Sequence, residues 1–423
     1  MKKIFKNYKS TILLLLGIIV GAIVGLIFKD KATVLNPFGT IFLNLMFVII
    51  VPLIFLTITT SVATIKEPKR LGKIMISIIV VFIVTSLISC AVGLLSTYST
   101  TLINTEDGTK IKEELELDST STDQEEEQLN ILERTVNTLT VSDFKDVLSK
   151  DNLIAVVVFS LLIGLAINKS KEKATPFLKV LESAKAVCLK FIEFAMLYAP
   201  FGLGCYFAAL IGTYGSNIAV GYLKTFLIYT LVSVLFFAIV YTIYAYISAG
   251  KKGVKVYWTN IIPATLTSLS TCSSAASIPV NIECAKKMGV SDDIAETIIP
   301  LGTSFHKDGS VIGSVFKIMF LAYLFGTNLT SPSGVLQVIV TALIANLLVV
   351  AVPIGGGTIS EMLIISMMGY PVAALPILTV IATIIDAPAT VLNVVGDTSS
   401  SMLVSRIVDG KNWLNQKEIT SKK

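Results

Sequence analysis

The chain has 423 residues, of which 53% are hydrophobic and only 15% charged; ordinary soluble domains carry about 25% charged residues, so a soluble enzyme or binding module is excluded and the composition is that of an integral membrane protein. The formal net charge of +5 traces to lysines in short segments between apolar runs, as in basic cytoplasmic loops, and calls for no nucleic-acid partner.

Crossing a bilayer takes about 20 helical residues, and three charge-free runs of that kind open the chain: Thr11–Phe28, Pro37–Ile65 and Ile74–Thr105. The first follows Lys2, Lys3, Lys6 and Lys9; it is long and lacks a small-x-small exit, so it reads as a retained helix and not a cleaved signal peptide. Residues 1–73 thus hold two helices and 74–104 a third. Residues 105–151 form an external loop whose stretch Thr105–Gln128 carries ten acidic and two basic residues, a composition that cannot bury enough apolar surface to order itself. Asn152–Ile167 and Phe177–Tyr214 supply a fourth and fifth helix within 152–214, and Ala219–Ala249 a sixth within 215–255. Basic clusters at Lys2–Lys9, Lys66–Lys73, Lys169–Lys173, Lys251–Lys255 and Arg406–Lys423 place both termini in the cytoplasm if all obey the positive-inside rule. Cys90, Cys188, Cys205, Cys272 and Cys284 show no CxxC spacing, which argues against a disulfide framework or metal site.

The C-terminal part is less regular. In Thr265–Ser277, "TLTSLSTCSSAAS", eight of thirteen residues carry hydroxyls, between Pro263 and Pro279. Hydroxyls satisfy backbone groups freed inside a membrane, so 256–290 reads as a re-entrant hairpin. A second interruption, "VPIGGGTIS" at Val352–Ser360, falls within 328–370, and paired broken segments of this kind point to a transporter's binding site near the bilayer midplane. Each is followed by a helix with acids in apolar surroundings, 291–327 with Asp308 and 371–408 with Asp386 and Asp397; residues 409–423 form a cytoplasmic tail. Asp386, Thr390, Asn393 and Asp397 share one helical face. A charge at the bilayer centre costs at least about 2.5–3.5 kcal/mol, so such carboxylates are functional by default. The chain has one histidine, His306, and neither GxSxG nor HExxH; an enzyme is not expected.

Three stretches carry a resemblance: "PLIFLTITTSVATIKEPKRLGK" at Pro52–Lys73, "SSAASIPV" at Ser273–Val280 and "NVVGD" at Asn393–Asp397, with Lys307-Asp308-Gly309 between the last two. In these the chain resembles the dicarboxylate/amino acid:cation symporter family over nearly its whole length. The resemblance implies an all-α integral membrane fold with eight transmembrane helices and two re-entrant helical hairpins, and a homotrimer in the plasma membrane. It also implies an elevator mechanism. The scaffold would comprise 1–73 and 152–214, and the transport domain 74–104, 215–255 and the hairpin-bearing remainder.

It further implies that Ser273, Ser274 and Ala275 hold a substrate α-carboxylate and that Gly355 and Gly356 belong to a lid. Asp386 would take the α-ammonium, while Thr390, Asn393 and Ser310 add hydrogen bonds. Asp397 and Asn393, with carbonyls near Gly302 and His306, match one sodium site of the family, and Asp308, Thr85 and Ser86 most of a second.

The chain departs from the family in two respects. Acidic-substrate members carry an arginine where this chain has Ala389 or Cys272, and a buried substrate carboxylate needs such a partner; a small neutral amino acid is therefore the expected substrate, with Lys307 as the one candidate to rescue an acid. The family signature Asn-Met-Asp-Gly-Thr is replaced by His306-Lys307-Asp308-Gly309-Ser310, "LLVVAV" at Leu347–Val352 lacks hydroxyls, and Phe82 stands for a tyrosine. Like charges about 4 Å apart repel by ~4 kcal/mol at intermediate dielectric, so Lys307 is expected to weaken sodium binding and to neutralise Asp308 or Asp397 in its place. The coupling ion is then a proton, with Lys307 or His306 titrating, or coupling is absent. The alternatives are a sodium-coupled symporter of dicarboxylates or acidic amino acids with Lys307 in a fixed ion pair, a substrate-gated anion channel, and a nontransporting sensor. No cofactor is expected.

Overall fold

The structure is a computed structural model and describes residues 2–63, 71–103, 140–147, 149, 152–214, 216–347 and 356–414. The acidic stretch Thr105–Gln128, the basic residues 66–70, residues 348–355 with the first half of the second interruption, and the tail 415–423 lie outside these. Every regular element among the described residues is helical. The main ones are α1 (Lys2–Phe28), α2 (Asn36–Ala63), α3 (Leu71–Tyr98), α4 (Leu153–Ser170) and α5 (Thr175–Tyr214). Next come α6 (Ser216–Leu235), which runs through a π turn into α7 (Tyr241–Asn260), and α8 (Ile262–Thr271) and α9 (Ser274–Lys287). The chain continues through α10 (Asp292–Phe305), α11 (Asp308–Leu324), α12 (Pro332–Leu347), α13 (Gly356–Met368) and α14 (Leu375–Asp409).

Among the described residues, three helical stretches are long and apolar enough to cross a membrane by themselves: Lys73–Tyr98, Ile218–Asn260 and Val372–Asp409. Their outer faces are apolar too, as on α3 with Ile76, Val80 and Leu95 and on α6 with Leu227 and Leu231, which is the surface a lipid solvent requires. The second of these bends at Ala249 and Gly250; Gly250 has φ +61°, a conformation that costs glycine little, and the lysines Lys251, Lys252 and Lys255 follow it.

Packing sorts the helices into two sets. In one, α5 lies against α1 and α2, and α2 against α4. The α1–α5 seam is made of small residues at every fourth position, Gly17, Gly21 and Gly25; a Cβ on any of them would overlap the α5 backbone at Pro200, Gly204 or Ala208. Such stripes let helices associate where no hydrophobic effect drives them together. In the other set, α14 is the hub, packed against α3, α6, α7, α8, α9, α10, α11 and α13. α3 runs antiparallel to α14. At one end Lys73 Nζ donates to the Val408 carbonyl (3.0 Å) and Arg406 Nη1 to the Ser248 carbonyl (3.3 Å); at the other, Tyr323 donates to the Thr97 carbonyl (2.8 Å) and Tyr98 to that of Leu329 (2.8 Å).

Both interrupted segments fold as helix pairs. The first, α8–α9, turns through Cys272, at φ +45°, and Ser273. In the second, α12 and α13 pack together with Gln337 Nε2 donating to the Met367 carbonyl (3.3 Å).

Candidate functional site

The unit that carries Asp308 is not one continuous helix. α10 ends at Phe305, His306 and Lys307 are extended, and α11 begins at Asp308. The break sits on His306 and Lys307, and it leaves Asp308 in the first turn of α11, where the helix dipole favours a carboxylate.

His306, Asp308 and Asp397 are fully buried. Imidazole Nδ1 lies 2.9 Å from Asp397 Oδ1; Nε2 lies 2.8 Å from Thr85 Oγ1 and 3.3 Å from Asp308 Oδ1. The Thr85 hydroxyl donates to the Val81 carbonyl (2.9 Å), so it offers Nε2 a lone pair. With both carboxylates ionised, both ring nitrogens face acceptors, which is the environment of an imidazolium. Phe82 stacks flat on the ring, centroids 4.4 Å apart at 12°, and a cation on an aromatic face gains from its quadrupole.

The oxygens of Asp308 are taken: Oδ1 accepts from Ser89 Oγ (2.8 Å) and Oδ2 from Tyr241 OH (3.1 Å), a hydroxyl shared with the Leu392 carbonyl at 2.7 Å. Asp397 differs, because its Oδ2 has no hydrogen-bond partner among the described residues. Lys307 lies within electrostatic reach of Asp397. Two buried carboxylates, the buried imidazole and the half-buried Lys307 thus form one set, which is neutral when all four are charged. Backbone approach makes the room: a Cβ at Gly302 would overlap the Asp397 carboxylate, and one at Gly396 would meet Tyr241 OH and Asp308 Oδ2.

Next to this cluster, Asn393 joins α14 to α11. Its Nδ2 donates to Ser310 Oγ (3.0 Å) and its Oδ1 accepts from the Ser310 backbone N–H (3.1 Å). Two turns earlier on α14, Asp386 is hydrogen-bonded to Thr390. Ser273 caps α9, its hydroxyl accepting from Ala276 N (3.2 Å), and Ser274 and Ala275 form the first turn, whose backbone N–H groups suit a carboxylate. No hydrogen bond among the described residues joins this turn to Asp386, Thr390 or Asn393. The coupling between hairpin and hub lies farther down, where Asn281 Nδ2 donates to the Val394 carbonyl (2.8 Å) and Thr398 Oγ1 donates to Asn281 Oδ1. Gly356 is the first residue of α13; Gly355 is outside the described residues.

Of the anticipated cation-site residues, the structure brings together Thr85, Gly302, His306, Lys307, Asp308 and Asp397. Ser86 is buried on the same helix, but among the described hydrogen bonds it is Ser89 that reaches Asp308. Ser89 and Tyr241 were missed. Ser89 stands one helical turn beyond Thr85, a spacing from which it was available; Tyr241 carries no such local cue.

Comparison with known proteins finds relatives along most of the chain. A model of the sodium:dicarboxylate symporter family matches residues 11–407. The chain is 26% identical over 403 residues to the proton/sodium-glutamate symport protein of Geobacillus stearothermophilus, covering 92% of each chain. It is 24% identical over 408 residues to the C4-dicarboxylate transport protein of Anaeromyxobacter sp. (strain K), 93% of this chain and 88% of that one. Over 409 residues it is 27% identical to the L-cystine uptake protein TcyP of Bacillus subtilis (strain 168), 93% of this chain and 87% of that one.

Proposed function

Since the chain belongs to the sodium:dicarboxylate symporter family, and so is a membrane transporter and not an enzyme, we propose that it moves a small neutral amino acid across the plasma membrane with His306 and Lys307 standing where the family places sodium. The observation that carries this reading is the imidazole clamped between Asp397 and Asp308. A sodium ion at Asp308 would need carboxylate oxygens that His306, Ser89 and Tyr241 already engage. With His306 as imidazolium and Lys307 as ammonium, both carboxylates are neutralised without a bound metal ion.

Asp397 Oδ2 is the remaining acceptor. A proton arriving there or leaving His306 changes the net charge of the cluster by one, and this is the step through which transport couples to protons. The sodium-independent reading without proton coupling keeps the same residues and makes the cluster permanently neutral. The substrate's α-ammonium goes to Asp386, with Thr390, Asn393 and Ser310 around it, and its α-carboxylate to the first turn of α9 at Ser273, Ser274 and Ala275; Gly355 and Gly356 close over it. Ala389 and Cys272 favour a neutral side chain, because neither supplies the guanidinium an acidic substrate needs.

The two packing sets fit an elevator. The glycine-seamed set is the scaffold and trimerisation surface of a homotrimer of eight-span subunits, the α14-centred set is the moving body with two re-entrant hairpins, and both termini are cytoplasmic. The test is counterflow of radiolabelled small neutral amino acids in proteoliposomes with choline replacing sodium. Saturable exchange supports the reading; uptake confined to sodium, or of dicarboxylates alone, defeats it.

A further inference from the structure

A groove of about 500 Å3 opens on the outside of the α14-centred set, within the range of roughly 300–1,000 Å3 of small-molecule sites. Its walls are apolar: α3 contributes Val80, Val84 and Ile88, α7 contributes Ile247, and α14 contributes Leu403 and Ile407. Val80, Val84, Ile247 and Ile407 are each about half exposed, so in a membrane the open side faces lipid tails. One end is different. Arg406 and Lys411 line it, and Lys73 lies at the same end of α3, bound to the Val408 carbonyl. Asp409 falls between the two cations in sequence but does not line the groove.

An apolar trough in a bilayer-spanning body, closed at one end by a guanidinium and an ammonium, has the shape and charge of a phospholipid with an anionic headgroup. Arg406 spends Nη1 on the Ser248 carbonyl and keeps further donors in the fixed fork that suits phosphate oxygens. Lys411 is exposed on the turn after α14, beyond Gly410, and is free to swing as a point charge. From Val80 to Ile88 the α3 wall is nine residues long, about 12 Å of helix from first to last, enough to seat most of one acyl chain. Thr85 lines the groove on its inner side and is the residue whose hydroxyl accepts from His306 Nε2 (2.8 Å). The wall between lipid and the buried cluster is one side chain thick there.

We propose that this groove binds an anionic phospholipid, its phosphate held by Arg406 and Lys411 and one acyl chain laid over Thr85, closing the thin wall in front of His306. This stands apart from the substrate and coupling ion argued above and requires only that the protein reside in a bilayer. The test uses the purified full-length protein, equilibrated with mixed micelles of phosphatidylglycerol and phosphatidylcholine of equal chain composition, and native mass spectrometry of the retained lipid. Phosphatidylglycerol is expected to be retained over phosphatidylcholine by roughly thirtyfold, as two cations near a headgroup provide. The double variant Arg406→Gln/Lys411→Gln removes the preference, and glycerophosphoglycerol, the headgroup without chains, does not compete. Because Arg406 also ties α14 to the Ser248 carbonyl, Ile247→Trp serves as an independent variant: it fills the trough from a half-exposed position and is expected to abolish retention of the lipid. Equal retention of both lipids by the wild type, an undiminished preference in the double variant, competition by the bare headgroup, or full retention by Ile247→Trp would each overturn the proposal.

Discussion

Helix α11 carries one buried charge cluster at its start and another near mid-length, and the two are built differently. At its start, Asp308 and Asp397 share His306, every ring nitrogen and both Asp308 oxygens are engaged at 2.8–3.3 Å, and an aromatic ring covers the imidazole. Two and a half turns on, Lys317 and Glu361 face each other at 3.6 Å, beyond hydrogen-bond length, and Glu361 Oε1 has no hydrogen-bond partner among the described residues, although Oε2 accepts from Thr379 Oγ1 at 2.9 Å. The first cluster is a saturated network with one acceptor held in reserve at Asp397. The second is a loose pair that bridges α11, α13 and α14. Buried pairs of the second kind are weak stabilisers, since desolvation offsets most of the attraction; a saturated network is maintained at higher stakes, because losing one member strands the rest.

The contrast can be broken experimentally, most severely at the first cluster. His306→Ala strands two buried carboxylates, and breaking such an assembly costs about 3–5 kcal/mol; transport is expected to vanish and the thermal unfolding midpoint in detergent to drop, with added sodium failing to restore either. At the second cluster Lys317→Met alone is expected to cost a similar ~3–5 kcal/mol, whereas Lys317→Met/Glu361→Met replaces both charges and should recover most of it. A double variant no more stable than the single would show that the loose pair tolerates apolar replacement no better than the first cluster. Gly302→Ala pushes a methyl into the Asp397 carboxylate, an overpacking expected to cost about 1–3 kcal/mol and to slow transport while the protein still folds. The smallest effect belongs to Phe82→Leu: loss of the stacked face is expected to weaken the cluster by about 0.5–2 kcal/mol, seen as a small drop in the thermal unfolding midpoint.

Much of the fold was legible in the sequence because membrane helices announce themselves by length and apolarity, and because the hydroxyl-rich stretch at Thr265–Ser277 and the motif "NVVGD" have few other uses. The acids were legible for the same reason, as exceptions. What sequence could not supply was which faces meet. Reading along the chain gave Lys307 the role of neutralising Asp308 or Asp397; the structure puts His306 between the two carboxylates. Ser89 and Tyr241 reach Asp308 from other helices, and Glu361 meets Lys317 across 44 positions of sequence. Such pairings depend on how helices pack about α14, and hydrophobic periodicity is blind to that.

The central claim is that His306 and Lys307 replace sodium, and the most direct measurement compares the wild type with His306→Asn/Lys307→Met, which restores the family's residues at both positions. Initial uptake rates of one transported amino acid are measured in proteoliposomes in matched sodium and choline buffers. The account expects equal rates for the wild type in the two buffers and a requirement for sodium in the double variant. A wild type that falls silent in choline, or a double variant indifferent to sodium, would contradict it.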